Sequence, residues 1–131
     1  MTYEFCKVFV KDLDVRATAD VLADLGLPLN PPRFPGDGCA VIGPVVLEVG
    51  VNHAGGEASS EDDFVVWPVH IELGPISDDP GVSDAELAVT MVETTAIVVR
   101  GFWDRGHPVV AACDYEDNLP WNGGIGRIST R

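Results

Sequence analysis

The sequence predicts an α+β fold, a ferredoxin-like βαββαβ sandwich with a four-stranded antiparallel sheet and two helices on one face. Three observations predict it. Apolar and polar residues alternate, or run apolar, in four strand-like stretches; two other stretches carry helical spacing with capping residues; and the order is strand, helix, strand, strand, helix, strand. Right-handed crossovers then place the first and third strands at the centre. A chain of 131 residues suits a single domain, with residues 115–131 as an irregular tail. Hydrophobic residues make up 46%, enough for one core.

Each element has a local reason. Residues 3 to 11 alternate and are rich in aromatic and β-branched types, which predicts a strand. Asp14 can cap a helix from about Val15 to Leu25 that carries Val21, Leu22 and Leu25 on one side, and Gly26 is placed to end it. Pro28 to Gly38 holds four prolines and two glycines and reads as loop. Residues 39 to 51 read as one strand, in which Pro44 implies an edge position or a bulge because it has no N–H to donate. A polar, acidic hairpin loop from Asn52 to Asp63 leads into a strand over 64–73. Ser83-Asp84-Ala85-Glu86 has the spacing of a capping box. Leu87, Met91, Thr94, Val98 and Phe102 then recur at helical spacing over about 84–105, and Gly106 supplies the stop. Residues 107–114 form the last strand.

Charge excludes more than any motif identifies. Eight Lys and Arg face 21 Asp and Glu, for a formal net charge of -13. A nucleic-acid binder needs a basic footprint, and anionic membrane surfaces repel such a chain, so neither partner is expected. No run of 18 apolar residues and no signal-peptide pattern is present. Cys6, Cys39 and Cys113 form no CxxC pair and lie in apolar segments, so buried reduced thiols and a cytoplasmic location are expected, with Cys113 inert. Between Arg33 and Arg100 stand twelve acidic residues and no Lys or Arg. Asp84 and Glu86 suit a helix N-terminus. Glu57, Glu61, Asp62 and Asp63 in the hairpin loop, with Asp78 and Asp79, have no such local reason and make a candidate docking surface for a basic protein. Solubility conferred by net charge is the competing explanation.

Alternation assigns faces. Cys6, Val8 and Val10, with Trp67, Val69, Ile71 and Leu73, point toward the helices. Tyr3, Phe5, Lys7 and Phe9, with Pro68, His70, Glu72 and Glu48, point to the open side. Phe5, Lys7, Phe9, Glu48, His70 and Glu72 thus form a candidate ligand or homodimer face, unless the tail with Trp121 folds across it. A strand histidine beside carboxylates is more often an ion-paired surface group than a metal or acid–base centre. His53 lies in a Gly-rich loop, and His107 suits a helix C-terminus. Asp114, Glu116 and Asp117 form an acidic turn at the end of the last strand. Their oxygens suit Mg²⁺ or Ca²⁺, but the EF-hand pattern is absent and a solvated turn is the plainer reading. Neither Gly36-Asp37-Gly38 nor Gly123-Gly124-Ile125-Gly126 sits between a strand and a helix as a phosphate loop does, and no nucleophile elbow is present. No cofactor, metal or catalytic residue is assigned.

The run Val109-Val-Ala-Ala-Cys-Asp-Tyr-Glu-Asp-Asn-Leu-Pro120 resembles a segment of small acidic actinobacterial α+β proteins, in which a similar strand ends in an Ala-Cys-Asp-aromatic-Glu-Asp-x-Leu-Pro turn after a long helix. Some members of that group resemble immunity proteins of polymorphic toxin systems. The group is largely uncharacterised and no functional residue is carried over from it; if the run matters, Asp114, Glu116 and Asp117 are expected to fix the turn or contact a partner, and the chain as a whole reads as a binding protein rather than an enzyme. Three functions follow as expectations. The first is an immunity-like, non-catalytic module docking a basic partner through its acidic surface. The second is a dimeric ferredoxin-like enzyme or small-ligand binder using the open sheet face. The third is a structural or regulatory module without ligand.

Overall fold

The computed structural model of the chain describes residues 6–29, 38–52, 67–75, 83–113, 115 and 118–125. Among the described residues five strands are present: β1 (Cys6–Val10), β2 (Gly38–Ile42), β3 (Val45–Val51), β4 (Val69–Pro75) and β5 (Val109–Ala112). Two helices, α1 (Val15–Asp24) and α2 (Asp84–Asp104), complete the α+β fold, and Pro120–Gly124 form a 3₁₀ turn. The strands make one sheet in the order β2-β3-β4-β1-β5, and every adjacent pair is antiparallel.

The expected four-stranded sheet is therefore corrected to five strands. The stretch 39–51 is not one strand but the β2–β3 hairpin, paired from Gly38↔Val49 to Ile42↔Val45 around a two-residue Gly43-Pro44 turn. Pro44 marks a reversal here, where its missing N–H leaves no ladder bond unmade. The strand expected over 64–73 is β4, starting at Val69; residues 64–66 lie outside the described residues.

Both helices begin and end on local chemistry. Ala17 N–H donates to Asp14 Oδ1 (2.8 Å), and Thr18 Oγ1 donates back to Asp14 O (2.7 Å). At α2, Glu86 N–H donates to Ser83 Oγ (3.1 Å), which is one half of the expected capping box. Each helix stops with a bond from the residue after glycine back into the last turn, Leu27 N–H to Leu22 O and His107 N–H to Phe102 O, both 2.9 Å. Asp14→Ala is expected to lower stability by about 1 kcal/mol, read as a fall in the urea midpoint, with Asp14→Asn close to wild type.

Most of the core lies between helices and sheet. Val8 opposes Ile71 and Ala111, Val10 opposes Val69 and Val109, and Leu47 opposes Leu73, all buried. Trp67 is buried as well. From above, α1 contributes Thr18, Val21 and Leu22, and α2 contributes Met91, Thr94, Thr95, Val98, Val99 and Phe102. The helices pack side by side: a Cβ at Gly101 of α2 would run into the Leu25 side chain at the end of α1. No helix among the described residues is long and apolar enough to cross a membrane.

Part of the C-terminal segment is ordered against the β5 edge. Trp103 Nε1–H donates to Val109 O (2.9 Å), and the Trp121 ring stands edge-on to Trp103 at 6.5 Å. Gly123 lies against Ala111 O and Gly124 against Val109 O. Val109 and Ala111 belong to the helix-facing layer, so residues 118–125 line the seam between α2 and β5. They do not carry Trp121 across the open face as the sequence suggested.

Candidate functional site

Strand pairing brings the sequence-selected polar residues of the open face into one row. Lys7 of β1 stands opposite Glu72 of β4, which stands opposite Glu48 of β3, which stands opposite Cys39 of β2. The expectation that Lys7, Glu48 and Glu72 share a face thus follows from parity in three strands, and the register makes them cross-strand neighbours. Lys7 Nζ lies 3.5 Å from Glu72 Oε1 and 5.9 Å from the centre of the Phe9 ring. His70 Nε2 lies 3.8 Å from the same Glu72 oxygen. Both partners of the Lys7–Glu72 pair are close to half exposed, so the pair is worth only about 0.5 kcal/mol to the fold. Two glutamates directly opposite one another repel by a similar amount. The row is therefore a surface feature that the fold does not depend on.

Next to this row the open face changes character. Phe9 pairs with His70 and with Val110, and Phe9 is 7% exposed and Val110 2%. Phe9, one of the aromatics that made the face a candidate ligand or dimer platform, is thus already buried within one chain. Among the described residues of this face, Glu48, Glu72 and Val41 stay exposed beside the half-exposed Lys7. Phe5 lies outside the described residues.

The acidic loop residues Glu57, Glu61, Asp62 and Asp63 also lie outside the described residues, as do Asp78, Asp79, Asp114, Glu116 and Asp117. Their points of attachment are defined. Asn52 N–H donates to Pro68 O (2.9 Å) and Asn52 Nδ2–H to Trp67 O (2.7 Å), so the buried Asn52 clasps both ends of the 53–66 loop together. Lys11 Nζ sits 6.0 Å above the Trp67 ring at that base. The segment holding Asp78 and Asp79 leaves β4 at Pro75, opposite Val45, at the other end of the strands. Seven-residue strands set the two anchors about 20 Å apart. The acidic surface drawn from sequence as one unit thus springs from both ends of the sheet.

A second polar group, missed in the sequence, lies inside. Tyr115 is buried, and its hydroxyl is 3.0 Å from Thr95 Oγ1. Thr95 gives its own proton to Met91 O (2.7 Å), so Tyr115 donates. The Cys6 thiol is in hydrogen-bonding reach of Cys113, Tyr115 and Thr95. The hydrogen-bonded Cys113 thiol, and then burial, push the Cys6 thiol far above the ordinary thiol range; burial, and then Cys6, push the Tyr115 phenol far above its own. Both stay protonated at neutral pH. Only Tyr115, the aromatic of the Ala-Cys-Asp-aromatic run, hinted at this group. Among the described residues no three His, Cys, Asp or Glu side chains converge as metal ligands. Compared with protein-family models, curated proteins and solved structures, the chain shows no match to any.

Proposed function

We propose that this chain is a non-catalytic, immunity-like binding module that docks a basic protein partner by charge complementarity. The observation that carries the reading is the segregation of charge along the fold. The stretch between Arg33 and Arg100, with twelve acidic residues and no Lys or Arg, builds β2, β3, β4 and the first sixteen residues of α2. The described cations belong elsewhere: Lys7 on β1, Lys11 just after it, Arg16 on α1, and Arg100 and Arg105 at the end of α2. The β2–β4 half of the sheet therefore carries carboxylates and no Lys or Arg of its own, with Lys7 of β1 reaching across only to Glu72, and an acidic surface of this kind steers a basic partner toward it. Glu48 and Glu72 add exposed carboxylates on the open face. We read β2 as an edge strand added to a ferredoxin-like arrangement of the other four. The burial of Phe9 and Val110 weighs against the alternative, a ligand or dimer platform on the open face.

The test is kinetic. A basic protein co-purifying stoichiometrically from the native host is isolated, and its association with wild type is compared with a variant neutralised at Glu57, Glu61, Asp62 and Asp63. At low salt the variant is expected to associate roughly tenfold or more slowly, with the two rates converging at high salt. The absence of any stoichiometric basic partner, or equal rates at low salt, would overturn the reading.

A further inference from the structure

We infer that Cys6 and Cys113 are a latent disulfide pair, a site of reversible oxidation that ties β1 to the end of β5. The argument is one of register. β1 and β5 pair from Val10↔Val109 to Lys7↔Ala112, and one further step brings Cys6 opposite Cys113. The Lys11 N–H to Pro108 O bond (3.2 Å) joins directly opposed residues and so fixes the alternation of the ladder. Lys11, Phe9 and Lys7 occupy hydrogen-bonded positions, while Val10, Val8 and Cys6 occupy non-hydrogen-bonded ones. At the latter, opposed Cα atoms approach to about 4.5 Å with their side chains closest. That spacing falls in the range of about 4.4–6.8 Å that a disulfide spans without moving the backbone. The Cys113 side chain is also the first cause of the upward push on the Cys6 thiol, as expected of facing neighbours.

The two sulfurs differ in access. Cys6 is 2% exposed, beneath α2, whereas Cys113 is half-buried at the sheet's end. With a peroxide as oxidant, the Cys113 thiolate attacks the O–O bond, giving a sulfenic acid and, with a proton, one water. The Cys6 sulfur then displaces the sulfenic hydroxyl, which leaves with the Cys6 proton as a second water. Two thiols lose two electrons and two protons, and one peroxide becomes two waters. Because Cys113 is the more accessible of the two, it reacts first. Cys39, in the β2–β3–β4 half of the open face, has no cysteine opposite it: its partner is Glu48.

The folded full-length chain is treated with hydrogen peroxide, denatured, and alkylated with a maleimide before intact-mass measurement and peptide mapping. The expected product carries one maleimide, at Cys39, has lost two hydrogens, and yields a peptide linking Cys6 to Cys113. Cys39→Ser, which leaves the core untouched, is expected to form the same link with no maleimide. Dithiothreitol is expected to restore every thiol in both proteins. Three maleimides on the treated wild-type chain, a link through Cys39, or Cys113 carried to sulfinic acid without a link would each overturn the inference.

Discussion

Gly124→Ala is expected to lower the melting temperature by on the order of 10 °C, the largest effect of any single methyl group here. Two physical effects coincide at that position. The backbone is left-handed, at φ 102°, which an L side chain rarely adopts. A Cβ there would also run into Val109 O and Trp103 Nε1, the two atoms whose hydrogen bond ties α2 to β5 beneath the 3₁₀ turn. Backbone strain, overpacking and the loss of that buried bond together come to about 4 kcal/mol, a large share of a typical domain's stability. Gly43→Ala separates the effects. Gly43 is also left-handed, at φ 56°, but a Cβ there meets nothing. It should lose only about 1 kcal/mol. Equal losses in the two variants, read by thermal melting, would show that close packing of the turn on β5 contributes nothing.

Raising the pH above 9 is expected to destabilise the fold steadily. Cys6 and Tyr115 both bind their protons more tightly folded than unfolded. The unfolded chain releases the thiol proton near its ordinary value of 9.0 and the phenol proton near 10.0. Above those values the folded state holds more protons than the unfolded state, so stability falls as pH rises. The contribution is fully present below pH 9. Each group costs about 1.4 kcal/mol per pH unit once its unfolded form has titrated. Urea midpoints measured between about pH 8 and about pH 10.5 should fall accordingly. Tyr115→Phe should lose about 1 kcal/mol at neutral pH and show a shallower fall above pH 10. A midpoint independent of pH in this range would mean that neither group is held in its neutral form.

Local chemistry made much of the fold legible. The caps Asp14 and Ser83 act on amides three residues away, and Gly26 and Gly106 close turns begun a few residues before, so both helices could be bounded from their own residues. Strand parity is equally local, which is why Cys6, Val8 and Val10 were assigned to the core side and Lys7 to the other. The β2–β3 hairpin was not legible. Both of its arms are apolar, and Gly43-Pro44 satisfies a bulge as well as a reversal, so no pattern breaks between them.

The candidate site divides in the same way. The deficit of cations between residues 33 and 100 is a property of composition, and the sequence determined it completely. That Glu48 stands opposite Glu72, that the two acidic segments leave opposite ends of the sheet, and that Phe9 is buried on the open face were decided by the tertiary structure. So were the seating of Gly124 on Val109 and the approach of Cys6 to Cys113. The physical reason is common to all of these. A strand's own residues fix which of its side chains share a face, but the identity of its neighbour, and the register between them, depend on closing long loops around one shared core.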